Sequence, residues 1–330
     1  MRVRRTRSAS APRRLAGGAG AAHRRPFDCL CGRCFRHRRR HSRPRRRRAA
    51  YAGAASHEFR GRVLGPDGFD LGGRGMSLSV PHALSVWHRN LAMYRRTWKW
   101  NILPNFFEPV FYLVAIGVGL GAYVQQMGGL PYAAFLAPGL VCVAAMNGAS
   151  FEVTYNIFVR MHYEKTYDAM LTTPVEPDDI LAGEVLWAVT RAGIYGGCFY
   201  LVTAAWGLVP WQGAPWALAV ILLTGLLFAA IGLAFSLQIL TIDLFSFYFT
   251  LFLTPLFLFS DVFFPLAERL AGFWLWVAEA LPLLHPVRLA RLGFAGRWSP
   301  VMLWDVAYIL ASSAALLWFC RRSIRGRLLG

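Results

Sequence analysis

Between residues 104 and 320 the chain returns again and again to apolar runs separated by short connections. An α-helix needs about 20 predominantly apolar residues to cross a bilayer, and several of these runs are that long. The composition agrees: 56% apolar and 15% aromatic residues against 16% charged exceed what a soluble domain carries. The expectation is an all-α polytopic membrane protein with six transmembrane helices, at about 104–124, 134–158, 180–208, 216–240, 244–263 and 301–320.

The net charge of +19 is unevenly distributed. Residues 1–75 hold 21 arginines and 4 acidic residues, whereas the rest of the chain holds 15 basic and 13 acidic residues. Runs such as Arg45 to Arg48 admit three readings: counterion-releasing contact with nucleic acid or anionic lipid, a transit peptide, or a disordered low-complexity extension that cannot bury a core. The third is the expectation, with Met76 as the true first residue and no nucleic-acid partner. Cys29, Cys31 and Cys34 (CLCGRC) match no standard zinc spacing. Cys142, Cys198 and Cys320 sit in apolar runs and read as small hydrophobes.

From 76 to 103 Trp87, Leu91 and Trp98 mix with Arg89, Arg95, Arg96 and Lys99. This predicts an amphipathic interface helix along the cytoplasmic surface, with its basic groups at the headgroups. Four ionisable or amide groups fall inside the expected spans: Glu108, Asn147, Glu152 and Arg191. Such groups are costly in lipid and face protein or a wet cavity. Glu108 pairs with Arg95, Arg96 or Lys99, or else serves function; Asn147 and Glu152 point into the bundle; Arg191 bridges to Glu152 or Glu184. The glycine series Gly117, Gly119, Gly121 and Gly193, Gly196, Gly197 mark close helix approaches.

The longest polar interruption runs from Asn156 to Glu184, with 159–180 as the expected cytosolic loop. Two spans after a cytoplasmic N-terminus return the chain to the cytoplasm, and Arg160 and Lys165 satisfy the inside-positive bias. Alternation of Met161, Tyr163, Tyr167, Met170 and Leu171 with charged residues predicts a short amphipathic helix stopped by Pro174. Asp178 and Asp179 then favour the start of the next helix.

Here a resemblance enters. YEKTYDAMLTTPVEPDDILAGEVLW is similar to the cytoplasmic loop of ABC-2 type exporter permeases. TPLFLFSDVFFPL resembles the end of their fifth span, although Asp261 stands where that pattern has glycine. At subfamily level, SLSVPHALSVWHRNLAMYRRTWKW and SFEVTYNIFVRMHYEKTYDAM resemble NodJ-type permeases, and the likeness covers nearly all of 76–330. It implies the ABC-2 (type V exporter-like) fold with both termini cytoplasmic, a cytoplasmic coupling loop at 159–180 and an outer re-entrant segment at 264–300 closed by ALPLLHPVRLAR. It further implies a multi-pass protein of the bacterial inner membrane, a homodimer of permeases, and two copies of a separate NodI-type ATP-binding subunit that holds ATP and Mg. The chain itself then needs no cofactor. Coupling to that ATPase falls to Tyr163, Glu164, Lys165, Tyr167, Asp168, Leu171 and Pro174. The implied substrate is an acylated oligosaccharide of the lipo-chitooligosaccharide (nodulation factor) kind, with a drug or a polysaccharide as the alternative. Phe107, Tyr112, Phe249 and Phe252 are candidate faces for an acyl chain.

The residues by themselves offer no Walker loop, HExxH or GxSxG. A membrane-embedded transferase would need clustered His, Asp or Glu at one membrane face, and the acids look scattered along the chain. A secondary transporter would need an inverted repeat of broken helices, whereas only the end of this chain looks broken.

Overall fold

The computed structural model describes residues 78–121, 123–124, 126–265 and 272–329. The arginine-rich extension, its cysteines, Met76 and the side chains of Glu108 and Gly117 lie outside the described residues.

The architecture is all-α and polytopic. Helix α1 runs Val80–Val114 and widens into a π-helical stretch, Ala115–Leu120. A small antiparallel hairpin follows, Gln126–Met127 (β1) with Leu130–Pro131 (β2), turned on Gly128 and Gly129, both at positive φ. Two left-handed central residues are what a tight hairpin turn requires, and glycine adopts them without strain. Then come α2 (Tyr132–Tyr163), α3 (Thr166–Met170), α4 (Pro177–Ala205), α5 (Ala214–Ser236), α6 (Ile242–Phe259), α7 (Phe273–Glu279), α8 (Leu284–Phe294) and α9 (Val301–Leu329). Five of these, α2, α4, α5, α6 and α9, are long and apolar enough to cross a membrane. The run expected as the first span shares one continuous helix, α1, with the lead-in segment.

Helices α2, α4 and α5 form the centre, with α1 against α4, α9 against α5, and α8 wedged among α2, α5 and α9. Leu136, Ala145, Ala188, Ile221, Phe228 and Leu233 are closed off there from any solvent. Most of the apolar surface of α6 and α9 stays open to the outside.

The start of α1, expected as an amphipathic helix along the cytoplasmic surface, packs on the bundle through one face. It lies alongside α4: Ala83, Val86 and Asn90, one helical face, are buried, Trp87 Nε1 donates to Thr190 Oγ1 at 3.0 Å, and the Tyr94 and Trp187 rings meet edge-on. Gly183 permits this approach, since a Cβ there would sit 2.6 Å from Val86 Cβ. The expected glycine contacts are only partly present. Gly196 touches Ile221 and Ala145, but Gly119 and Gly197 face open space, and Gly225, Gly232 and Gly293 make closer approaches than either. Composition marks small residues but not the direction in which the helix presents them.

The amphipathic helix expected from Met161 is divided. Helix α2 continues through π-helical stretches, Glu152–Asn156 and Val159–Tyr163. It ends at Glu164 and Lys165, the latter at φ 50°, so only Thr166–Met170 forms the short helix. Pro177 opens α4 at its first position, and Glu176 and Asp179 form a reciprocal capping box.

Asp261 explains its own departure from the glycine pattern. Its φ is 62°, a left-handed conformation that glycine adopts freely and aspartate tolerates better than most residues. Its carboxylate accepts from Arg291 Nη1, and Arg291 Nη2 reaches the carbonyls of Asp261 and Val262.

Candidate functional site

Where α2 outruns the central bundle it carries Glu152, Asn156 and Arg160, each four residues after the last. The side chains stack: Asn156 Nδ2 and Arg160 Nη2 both donate to Glu152, each at 2.7 Å. Arg160 Nη1 also donates to Glu184 Oε2 on α4, at 2.6 Å. A second contact to that oxygen comes from Asn90 Nδ2 of α1, at 3.1 Å. Both carboxylates are only 2% exposed, so one guanidinium compensates two buried anions. Arg191 supplies the second positive charge, with Nε 3.5 Å from Glu152 Oε2 and Nη2 donating to the Tyr195 hydroxyl at 3.2 Å. The rings of Tyr94 and Tyr195 flank it at 4.8 and 5.1 Å. Two acids and two bases thus bind α1, α2 and α4 into a charge-balanced junction. Buried ions are tolerated when paired and hydrogen-bonded in this way.

Of the intramembrane polar residues picked out from the sequence, Glu152 and Arg191 meet in this junction. Asn147 sits apart, in a cavity of about 340 Å³ with Tyr112, Phe151, Phe249 and Phe257. Arg160, assigned to a solvated loop, is the bridging residue. Its four-residue spacing from Asn156 and Glu152 was the available signal. A second cavity, about 300 Å³ and polar, opens against the junction between Asn90, Tyr94, Asn156 and Arg191.

The segment following α2 hangs directly from this junction. Tyr163, Glu164, Lys165, Asp168 and Pro174 are exposed and Leu171 is half-buried. Tyr167 points the other way and is 1% exposed, in a small cleft with Ile157, Ile180, Glu184, Leu237 and Ile324. Burial, and then the Glu184 carboxylate, push its hydroxyl well above the ordinary tyrosine range; the oxygen has no well-formed hydrogen bond. Arg89 Nη2 of α1 reaches Thr166 Oγ1 at the start of α3, at 3.5 Å. An outward-facing polar ledge is therefore pinned by a buried tyrosine to the ionic junction behind it.

The first turn of α4 ties in the remaining helix ends. Asp179 accepts from the Ser79 backbone N–H at 2.7 Å and lies 3.3 Å from His82 Nδ1. Asp178 takes Arg321 Nε at 2.9 Å and Arg325 Nε at 3.0 Å.

At the opposite end the acids are not scattered. His285 on α8 is fully buried, with Nδ1 2.7 Å from Asp305 Oδ1 and Nε2 3.0 Å from the Glu279 carbonyl. Arg288 links Asp305 to the Glu279 carboxylate, and Tyr308 stacks on the imidazole with centroids 3.8 Å apart. Side chains 20 residues apart in sequence meet because α8 folds back against α9. Both imidazole nitrogens are occupied, so this cluster fastens α7 and α8 to α9 and leaves no free nitrogen for proton transfer to a substrate. Among the described residues no group of three or more His, Cys, Asp or Glu is arranged to hold a metal ion.

The family model for the ABC-2 type transporter matches residues 82–294, from the α1–α4 contact through the end of α8. The chain belongs to the ABC-2 transporter family. Relatives of this ABC-2 permease include Nodulation protein J of Rhizobium leguminosarum bv. trifolii, 39% identical over 208 residues, which is 63% of this chain and 79% of the relative. Nodulation protein J of Rhizobium meliloti (strain 1021) is 36% identical over the same shares. The inner membrane transport permease YadH of Escherichia coli (strain K12) is 29% identical over 215 residues, 64% of this chain and 82% of the relative. The ABC-2 fold and the likeness to Nodulation protein J agree with the motifs around Tyr163–Pro174 and Asp261.

Proposed function

We propose that this ABC-2 exporter permease moves an acylated oligosaccharide of the lipo-chitooligosaccharide kind across a bacterial inner membrane, as a dimer of two copies driven by two copies of a separate NodI-type ATP-binding subunit. Both ends of the chain then lie in the cytoplasm. ATP and Mg would be held by that subunit, and this chain would supply the path and the lever. The identity of 36–39% to Nodulation protein J over most of those proteins carries the choice of substrate class.

The lever is the ledge Tyr163–Pro174. Its exposed face offers Tyr163, Glu164, Lys165 and Asp168 to a soluble partner, while Tyr167 holds it to the junction of Glu152, Arg160, Glu184 and Arg191. A push on the ledge is passed at once to α1, α2 and α4, because each contributes a side chain to that junction. Closure of the ATP-bound partner moves these helices as a unit if it binds one arrangement better than the other. The cavity around Asn147, Tyr112 and Phe249 lies along α2 and α6, where such a rotation changes its width and where an acyl chain finds apolar and aromatic walls.

Affinity purification of the tagged permease under mild detergent tests the reading: a soluble protein with a Walker loop should accompany it. Glu164→Ala and Asp168→Ala should lower transport-stimulated ATP hydrolysis without altering membrane insertion. Normal export by both variants would refute the assignment of the lever. A drug or polysaccharide in place of the acylated oligosaccharide would appear as ATPase stimulation by that compound alone.

A further inference from the structure

A third cavity is unrelated to the ledge. It is a groove of about 910 Å³ between α4, α5 and α9, walled by Leu181, Val185, Leu222, Leu226, Leu317 and Trp318, a volume in the range of built ligand sites. Along α4 it runs from Asp178 to Val189. At 1.5 Å per residue that is roughly 16 Å, about the depth of one leaflet in a hydrocarbon core of about 30 Å. The groove is therefore apolar for about the length of one acyl chain, and with the start of α4 at the headgroups its far end would fall near the middle of the bilayer.

Its mouth is different in kind. Arg321 lines it, held by Asp178 at 2.7 Å yet with 46% of its side chain exposed. One residue on, Arg322 lies over the Trp318 ring at 3.9 Å; it is exposed and has no acidic partner among the described residues. The only carboxylate lining the groove is Asp178, and Arg321 and Arg325 already share it. Guanidinium N–H groups are thus left over at the point where a headgroup would sit, beside a tryptophan suited to the membrane interface. Arginine pairs with phosphate by charge-assisted hydrogen bonds.

We infer that this groove binds one anionic glycerophospholipid from the leaflet at the start of α4, with an acyl chain along α4, α5 and α9 and the phosphate at Arg321 and Arg322. The lipid seals the seam between α4 and α9 and adds to the hold of Asp178 on the last helix. The site stands independently of what the permease exports.

Native mass spectrometry of the purified full chain, titrated with phosphatidylglycerol and with phosphatidylcholine of the same chains, tests it. One phosphatidylglycerol should bind at least fivefold more tightly than phosphatidylcholine. Arg322→Gln should remove about a fivefold share of that preference, the factor that about 1 kcal/mol per basic residue near an anionic headgroup corresponds to, and leave phosphatidylcholine binding as it was. Ala219→Phe, at an exposed position lining the groove, should abolish both adducts while the protein keeps its melting temperature. Equal affinity for the two lipids would overturn the inference, as would an undiminished adduct in Ala219→Phe. So would disulfide cross-linking of Ala219→Cys between two copies, which would make the groove a protein contact.

Discussion

Replacing Arg160 by methionine removes the one cation shared by Glu152 and Glu184 while keeping an unbranched apolar stem. The two acids do not lose equally. Glu152 retains the Asn156 amide at 2.7 Å and Arg191 Nε at 3.5 Å. Glu184 retains no cation, only the Asn90 amide at 3.1 Å and the neighbouring Tyr167 hydroxyl. Leaving a buried charge without its partner costs about 3–5 kcal/mol, and that cost should fall on Glu184. Scaled at about 2–4 °C per kcal/mol for a domain of this size, the melting temperature should drop by roughly 6–20 °C. Tryptophan fluorescence of the detergent-purified protein during heating measures this. The geometry also predicts which second substitution repairs the damage. Arg160→Met with Glu184→Gln neutralises the orphaned acid and leaves the Glu152–Arg191 pair intact, so most of the loss should be recovered. Arg160→Met with Glu152→Gln leaves Glu184 charged and strips Arg191 of its carboxylate, so it should be worse than the first double variant. A single-variant drop under about 2 °C, or equal melting of the two doubles, would refute the view that Arg160 carries the junction.

Tyr167→Phe should melt within about 1 °C of the parent, because the hydroxyl it removes makes no well-formed hydrogen bond, whereas Tyr167→Ala should cost about 3–5 kcal/mol through the cavity it leaves; calorimetry in detergent separates the two. At Asp261 the thermal stability should fall from aspartate to glycine to alanine. Glycine loses only the Arg291 pair, while alanine also meets the left-handed strain of about 1–2 kcal/mol. Gly183→Leu should drive α1 off α4, since even a Cβ there falls 2.6 Å from Val86 Cβ. The check is faster proteolysis within residues 80–97 of the folded protein.

Five of the six expected spans were legible because lipid demands long apolar helices, and TPLFLFSDVFFPL and the LTTP turn carried the family. What the sequence hid is mostly direction. Arg160 looks like a loop cation until α2 is seen to continue as helix past Phe158, which turns the same residue inward toward Glu184. His285 and Asp305 lie on separate helices, and only the reversal between α8 and α9 brings them to 2.7 Å. The glycines misled for the same reason: Gly119 and Gly197 belong to obvious series yet face open space, whereas the isolated Gly183 sits at the tightest part of the α1–α4 contact. Asp261 is a further case: its departure from the glycine pattern left the local geometry open, and only the structure shows the left-handed backbone, at φ 62°, that accounts for a glycine there.

The two adjacent aspartates that open α4 have a bearing on how the molecule is made. Asp179 is satisfied by Ser79 and His82, which leave the ribosome before it does. Asp178 waits for Arg321 and Arg325 on α9, 143 and 147 residues later. Until α9 is in place, the carboxylate in the first turn of α4 stands without its cations. The contact between α9 and the start of α4 therefore forms only after the other helices described here have been made, and Arg321 and Arg325 fasten it.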